Sequence, residues 1–316
     1  MIPLTALLAL VAAGYLQPDT SSTSAPYGLL EDNTLFTVYG RGFGICPILG
    51  HLGTYKDCDA MAADTAPWVT KIQAANGGKD VVTGIHLIYG LAIPCTGGGS
   101  CLQYLGEDLV EKYIRPAQER GWVVILDTQL GSSDPVAQVN RMIERGYLKY
   151  DNVHVAIDPE FHLVPGERVP GIPIGTVEAS EINAAQEILS RYVQTERLRT
   201  KKILIVHQFG DRAVHDGVPF MIQHKEDVRD FENVQLVIDA DGLGTPATKI
   251  HKYNLMTNAR VYPFIRFRGI KVFYPNQWEQ RGHYDKPPMT IDQVFGLEPI
   301  PGGLRMADRP NVFIIA

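Results

Sequence analysis

Short, continuous apolar runs alternate along this chain with longer segments that have apolar residues at helical spacing. The runs are rich in Val, Ile, Leu and aromatic residues and end in polar residues or glycine, as buried strands do. The clearest helical segment covers residues 179–198, and others cover 68–75, 107–120, 133–143, 220–231 and 247–255. We predict strands at residues 34–39, 81–93, 122–126, 153–157, 203–206, 234–238, 270–274 and 311–315.

Strands that alternate with helices in this way indicate a parallel sheet covered on both faces. About eight strands predict an α/β fold, a single (β/α)₈ TIM-barrel-like domain over residues 28–316. An open, doubly wound sheet is the alternative. The first strand runs into the sequence GRGFG, whose glycines lack the spacing of a dinucleotide-binding turn, and this favours the barrel.

Polar side chains follow most of the predicted strands at their carboxyl ends, where barrels of this kind build their active sites. Acids collected there repel one another, so their clustering favours catalysis over a purely structural role. The 153–157 strand ends in Asp158-Pro159-Glu160, two carboxylates whose pKa values should separate when they are held together. The full set is Arg41, His86, Tyr89, Asp127, Gln129, Asp158, Glu160, His207, Gln208, Asp239, Asp241 and Tyr274.

The charge balance argues against one class of partner. The 316 residues carry 29 basic and 35 acidic side chains, which gives a formal net charge of −6. No run of Lys or Arg interrupts this acidic composition, so we expect no nucleic-acid binding.

The first residues have the composition of a targeting segment. Residues 1–17 are apolar and uncharged, too short for a comfortable membrane span and suited to the core of a signal peptide. A Ser/Thr/Pro-rich linker follows at residues 18–27. We therefore expect a secreted or cell-surface protein, with an uncleaved membrane anchor at residues 1–17 as the alternative.

Four cysteines agree with export. Cys46 and Cys58 flank one loop, Cys95 and Cys101 flank another, and neither spacing resembles the close Cys-x-x-Cys pairs of structural zinc sites. Four cysteines allow three pairings. We expect the sequence-local disulfides Cys46–Cys58 and Cys95–Cys101, because each closes one short loop.

The D-x-E motif at the end of the fourth strand, the barrel pattern and the export segment together resemble secreted glycoside hydrolases built on TIM barrels. The resemblance implies that Glu160 is the general acid and that Asp158 orients or assists it. Glycoside cleavage also needs a second carboxylate, for which Asp158, Asp127 and Asp239 are candidates. We expect a carbohydrate substrate bound by the remaining polar and aromatic residues, namely His86, Tyr89, Gln129, His207, Gln208, Asp241, Tyr274 and Trp278.

Two other functions remain open. A metal-dependent hydrolase would draw its ligands from His86, Asp158, Glu160, His207, Asp239 and Asp241, but no H-x-H or H-E-x-x-H spacing demands a metal. We therefore expect no metal and no cofactor. The second alternative is a non-catalytic extracellular carbohydrate-binding or assembly subunit. An open cleft around Glu160 would favour the hydrolase, and a plugged barrel end or acids paired with Arg41 would favour the subunit.

Overall fold

The computed structural model of the chain describes residues 25–97, 99–163, 166–210, 220–276 and 283–316. The predictions for the apolar segment, for most of the linker and for Trp278 lie outside these residues. No helix in the described ranges is long and apolar enough to cross a membrane.

Eight parallel strands form a closed barrel. Successive strands pair along the chain, and the last strand pairs with the first. The (β/α)₈ prediction is therefore confirmed, and the open sheet is ruled out. The barrel strands are β1 (Asn33–Gly40), β2 (Asp80–Ala92), β3 (Val123–Thr128), β4 (Val153–Ile157), β5 (Lys202–Gln208), β6 (Val234–Ala240), β7 (Phe267–Val272) and β8 (Val312–Ile315).

Two apolar layers hold the barrel together. Alternate strand residues such as Ile125, Ile205 and Val237 fill its interior, because successive side chains of a strand point to opposite faces. The residues between them, such as Leu126 and Leu204, pack outward against the helices. Every strand is thus buried on both faces, which explains why the strands read as continuous apolar runs.

Helices and short elements connect the strands. The connection from β1 to β2 contains the 3₁₀ turns Pro47–Leu49 and His51–Thr54, and Pro159–Phe161 forms another turn directly after β4. Two-residue strands at Val177–Glu178 and Ile222–Gln223 pair outside the barrel, and Leu102–Tyr104 pairs antiparallel with the end of β2. The helices are Leu29–Asp32, Cys58–Ala75, Val110–Ile114 continuing as Arg115–Glu119, Pro135–Glu144, Ala179–Thr195, Pro246–Met256 and Ile291–Val294.

Local capping sets several helix starts. Asp134 accepts a hydrogen bond from the Ala137 amide at 2.8 Å with Pro135 in the first turn, as the Ser-Asp-Pro sequence predicts. Asp57 accepts from the Ala60 amide, also at 2.8 Å, so that helix begins ten residues before the predicted start at residue 68. The helix continues through Pro67. Proline disfavours the interior of a helix, so the prediction began only after this residue.

The helix predicted over residues 220–231 is wrong. This segment forms the short strand Ile222–Gln223 and a 3₁₀ turn, Lys225–Asp227, separated by His224 in the left-handed region at φ 52°. The buried Lys225 ammonium donates to Gln208 Oε1 at 2.7 Å and to the Met256 carbonyl at 2.6 Å. Tertiary contacts of one lysine therefore override the helical periodicity of the segment.

The cysteines divide differently from the prediction. The Cys95–Cys101 disulfide is present, with its Cα atoms 5.2 Å apart. The predicted Cys46–Cys58 disulfide is wrong, since both thiols are free. Cys58 begins a helix with its side chain in the hydrophobic core, whereas Cys46 is exposed before the Pro47 turn. Burial raises the pKa of the Cys58 thiol to about 11, which suppresses its thiolate form.

We expect thiol-reactive reagents to label the native, unreduced protein at Cys46 and to leave Cys58 unmodified, since only Cys46 is exposed. After denaturation without reductant, both Cys46 and Cys58 should react, and reductant should add Cys95 and Cys101. Mass spectrometry of labelled peptides checks this order. Absence of labelling at Cys46 and Cys58 in the denatured, unreduced chain would show that those two cysteines are bonded.

Candidate functional site

The carboxyl ends of the barrel strands gather ionisable side chains around the barrel axis. Tyr39 on β1 pairs in register with His86 on β2, and His207 on β5 pairs with Asp239 on β6. Asp127 on β3 lies beside Ile88 of β2 in the same way. These residues occupy the inward-facing positions of their strands, so the side chains converge inside the barrel.

His207 is at the centre of this group. Its Nδ1 lies 2.8 Å from Asp239 Oδ2 and 3.5 Å from Asp241 Oδ2. On the other side of the ring, Nε2 lies 3.4 Å from His86 Nε2 and 3.5 Å from Asp127 Oδ2. Both ring nitrogens therefore face carboxylates, and His207 itself is almost completely buried.

The electrostatics of this group follow from the shared burial. Burial favours a neutral imidazole, but Asp127 and Asp239 raise the pKa of His207 well above its usual value. Burial likewise favours a protonated Asp127, but the charge of His207 and the contact with His86 hold the Asp127 pKa well below its usual range. For His86, burial dominates and lowers the pKa. A charged His207 beside an ionised Asp127 is the stable arrangement of the protein alone.

Lys271 on β7 supplies the second buried cation. Its Nζ donates to Asp241 Oδ2 at 3.0 Å and lies 3.6 Å from the centre of the Tyr39 ring. Burial would raise the pKa of Asp241, but Lys271 and then His207 lower it to about 2. Asp241 is therefore ionised at neutral pH.

Two more lysines come from the helix Pro246–Met256, which follows β6. Lys249 lies 3.5 Å from Asp285, whose carboxylate also accepts from the Gly244 amide at 2.7 Å. Lys252 donates to the Asp241 carbonyl at 3.3 Å, and burial lowers its pKa to about 8. This helix thus places the positive charges of Lys249 and Lys252 close to the carboxyl end of β6.

Asp158 and Glu160 occupy the turn that follows β4. Asp158 is buried and accepts from the Glu160 amide at 3.3 Å, which fixes the turn containing Pro159. Burial and then the Glu160 charge raise the pKa of Asp158 well above its usual value. Burial and then the Asp241 charge raise the pKa of Glu160 to about 7. A large fraction of Glu160 is therefore protonated near neutral pH.

An open cavity of ≈ 570 Å³ lies above this group. Its volume is in the range of small-molecule binding sites. Charged and polar groups share the wall with aromatic rings, as in sites that orient a ligand with a few polar contacts. The wall includes Gln129, Asp158, Glu160, Asp241, Lys252, Lys271, Tyr39, Phe161, Phe209, Phe273 and Tyr274.

The predicted catalytic carboxylates are close together in the fold but differ in access. Glu160 and Asp158 line the cavity, whereas Asp127 and Asp239 are fully buried beside the histidines and do not line it. Asp241, which was predicted to bind substrate, lines the cavity as well.

The other predicted binding residues divide in the same way. Gln129 and Tyr274 line the cavity, and Gln129 also accepts from the Ala92 amide at 3.0 Å. Tyr89 lies on the outer face of the barrel, where its hydroxyl accepts from Arg141 at 3.2 Å. Gln208 is likewise directed away from the cavity, toward Lys225. The histidines His86 and His207 lie inside the barrel and are not part of the cavity wall.

Several cavity residues were not predicted from the sequence, among them Tyr39, Lys252 and Lys271. Lys271 had a readable signal, because a lysine inside an apolar strand is rarely buried unless it is paired. Counting alternate positions along β7 places it on the inward face with Phe267. Lys252 gave no such signal, since an exposed position on its helix would suit a lysine equally well.

In the part of the chain that the structure describes, two groups of side chains could hold a metal ion. They are His86, Asp127 and His207, and His207, Asp239 and Asp241; within each group the donor atoms lie within 4.8 Å of one another. Among the described residues, both carboxylate oxygens of Asp127, His86 Nδ1 and Asp239 Oδ1 are buried without a hydrogen-bond partner. Buried polar atoms are seldom left in that state.

Comparison with known proteins gives a structural likeness without a match in sequence. No protein-family model matches the chain, and no curated protein matches it. Among solved structures, the GH26 domain of an endo-beta-mannanase/endo-beta-glucanase from Prevotella bryantii is similar, with a TM-score of 0.32 and 9% identity. The likeness covers 79% of this chain and 80% of that one. The barrel assignment for this chain is based on its own strand pairings.

We expect Lys271→Met to lower the free energy of unfolding by about 3–5 kcal/mol, because it leaves the buried Asp241 without its hydrogen-bonded cation. The double variant Lys271→Met/Asp241→Asn should lose less than the single one, since no unpaired charge remains. Urea denaturation of both variants and the wild type measures these differences. A loss below about 1 kcal/mol in the single variant would show that the pair is solvated, as surface pairs are.

Proposed function

We propose that this chain is a hydrolase that cleaves glycosidic bonds, with Glu160 as the general acid and Asp241 as the second carboxylate. One observation carries the proposal: Glu160, Asp158 and Asp241 line the same open cavity at the carboxyl end of the barrel, among aromatic rings. Barrel enzymes place their chemistry at this end. Carboxylates and aromatic rings are also the groups that sugar cleavage and sugar binding use.

The two carboxylates have the properties that this chemistry needs. A glycosidase requires a protonated acid beside the leaving oxygen and an ionised carboxylate for the developing cation or for the attacking water. The raised pKa of Glu160 and the lowered pKa of Asp241 support these two roles. Paired groups whose surroundings push their pKa values apart are the usual source of such assignments.

The remaining acids would act indirectly. Asp158 fixes the turn that carries Glu160, through the hydrogen bond from the Glu160 amide, and so orients the acid. Asp127 and Asp239 contact histidines inside the barrel and do not line the cavity. We therefore assign the second-carboxylate role to Asp241 instead of Asp127 or Asp239.

The cavity wall supports a sugar as the ligand. Phe161, Phe209, Phe273 and Tyr274 line it on several sides, and aromatic faces suit the C–H surfaces of pyranose rings. Gln129, Lys252 and Lys271 supply hydrogen-bond donors and acceptors for hydroxyl groups. Such a mixture of apolar wall and few polar groups is typical of a small-ligand site.

Two features disfavour a non-catalytic subunit. The barrel end around Glu160 is open, with the cavity above it. Arg41 donates to the carbonyl oxygens of Ile88 at 2.6 Å, Tyr89 at 3.0 Å and Gln103 at 2.9 Å, so this arginine serves the backbone of β2 and the strand beside it. The Cys95–Cys101 disulfide supports action outside the reducing cytoplasm, which we include in the proposal.

We expect Glu160→Gln to lower kcat/KM on the best substrate of a poly- and oligosaccharide panel by about 10²–10⁴-fold, because glutamine cannot donate the proton. The matched control Glu232→Gln changes an exposed glutamate and should keep wild-type activity. Circular dichroism verifies that both variants are folded. Equal activity of Glu160→Gln and the wild type, or no cleavage of any sugar by the wild type, would contradict the proposal.

The pH dependence follows from the Glu160 ionisation. Because the acid acts when protonated, we expect kcat/KM to fall above pH 7, by about tenfold per unit beyond the Glu160 pKa. Asp241 faces this group with negative charge, and Lys271, His207 and Lys252 face it with positive charge. The neighbouring Asp158 has a raised pKa of its own, because of burial and the Glu160 charge.

The alkaline limb, the fall of kcat/KM above pH 7, can be tested by removing one of the cations that face Glu160. Lys252→Met removes a positive charge that lowers the Glu160 pKa, so the limb should move to higher pH. Initial rates between pH 4 and pH 10 measure the profile. A profile that is flat through pH 9, or a limb that moves to lower pH in Lys252→Met, would refute Glu160 as the acid.

A further inference from the structure

His86, Asp127 and His207 meet inside the barrel and do not line the cavity proposed to bind the sugar. We propose that His86, Asp127 and His207 bind a divalent first-row transition-metal ion, with Zn²⁺ as the first candidate. The donors are two imidazole nitrogens and one carboxylate oxygen. This ligand set favours a transition-metal ion over Mg²⁺ and Ca²⁺, which prefer oxygen ligands.

The three donor atoms form a nearly equilateral triangle. His86 Nε2 lies 3.4 Å from His207 Nε2 and 3.6 Å from Asp127 Oδ2, and the third edge, from His207 Nε2 to Asp127 Oδ2, is 3.5 Å. A point equidistant from the corners of such a triangle lies about 2.0 Å from each, and zinc bonds to imidazole and carboxylate are about 2.0–2.2 Å long. An ion at or slightly out of this plane would thus have normal bond lengths to all three.

The same distances are too long for good hydrogen bonds. Charge-assisted N–H···O contacts between histidine and carboxylate are usually about 2.7–2.9 Å long. Asp127 is fully buried, and neither of its oxygens has a hydrogen-bond partner among the described residues. An unpartnered carboxylate beside two imidazole nitrogens is the second observation that points to a bound cation.

Asp239 orients the His207 ring as a metal ligand. The 2.8 Å contact between His207 Nδ1 and Asp239 Oδ2 is a normal hydrogen bond, in which Nδ1–H donates to the carboxylate. A metal ion that binds His207 releases the other proton of the charged imidazole, from Nε2, and the Nε2 lone pair at the corner of the triangle then faces the ion. Carboxylates hold metal-ligating histidines in this way in many metal sites.

The second group of possible metal ligands, His207, Asp239 and Asp241, is a weaker candidate because its histidine nitrogen is already hydrogen-bonded. It would use His207 Nδ1 with Asp239 and Asp241, but Nδ1 already makes the short hydrogen bond to Asp239. Asp241 is also paired with Lys271 at 3.0 Å, which competes with a cation. The triangle on the Nε2 side has neither competitor among the described residues.

The proposal is tested on the full chain by metal content and spectroscopy, without any measurement of activity. We expect the purified protein, after chelation and dialysis, to take up stoichiometric Zn²⁺ and Co²⁺, and Co²⁺ to give visible ligand-field bands typical of nitrogen and oxygen ligands. Thermal unfolding should shift to higher temperature with Zn²⁺. Failure of the folded wild type to bind either ion, or a preference for Mg²⁺ or Ca²⁺, overturns the proposal.

Variants then locate the ion. His86→Gln and Asp127→Asn should abolish stoichiometric Co²⁺ binding, and Asp239→Asn, outside the ligand set, should weaken it by about 10–100-fold. His224→Gln, which changes an exposed histidine, is the matched control and should bind as the wild type does. Unchanged binding in folded His86→Gln and Asp127→Asn overturns the assignment, and Co²⁺ bands in the wild type test it even where a variant fails to fold. Loss of glycosidase activity in Glu160→Gln is a separate result, so either proposal can fail alone.

Discussion

Burial of ionised carboxylates at one end of the barrel is the constraint on which the rest of the site depends. Asp127 and Asp241 are almost completely buried, and an unpaired buried charge costs several kcal/mol. Cations from different elements offset this cost: His207 from β5 and Lys271 from β7. The backbone makes room as well, since a Cβ atom on Gly269 would lie 2.7 Å from Asp239 Oδ1. These partners leave Glu160, in the turn after β4, as the carboxylic acid with a pKa near neutrality.

The fold was largely predictable because the barrel buries both faces of each strand. Continuous apolar runs marked all eight strands, and the 153–157 strand matches β4 at both ends. Errors occurred where tertiary contacts decide the local structure. Lys225 donates hydrogen bonds to Gln208 and Met256, and its segment forms a strand and a turn instead of the predicted helix. The free Cys46 and Cys58 show a related limit, because loop length does not reveal which thiol is in the core.

The site was predictable by position and less so by role. Strand ends identified Asp158, Glu160 and Asp241, which all line the cavity. Sequence could not tell that Asp127 and Asp239 turn toward histidines, because register between strands decides which inward side chains meet. The donor atoms of His86, Asp127 and His207 come from three separate strands, so no local spacing such as H-x-H predicts this group.

The ionisation of Glu160 is the most direct test of the central claim, that its surroundings prepare it as an acid. NMR titration of glutamate side-chain carboxyl carbons in the wild type and in Asp241→Asn measures it, with assignment by Glu160→Gln. We expect a Glu160 pKa of about 7 in the wild type. In Asp241→Asn we expect a lower value, since one negative charge is removed. A wild-type value near the ordinary glutamate pKa of about 4.3, unchanged in Asp241→Asn, would contradict the assignment of Glu160 as the general acid.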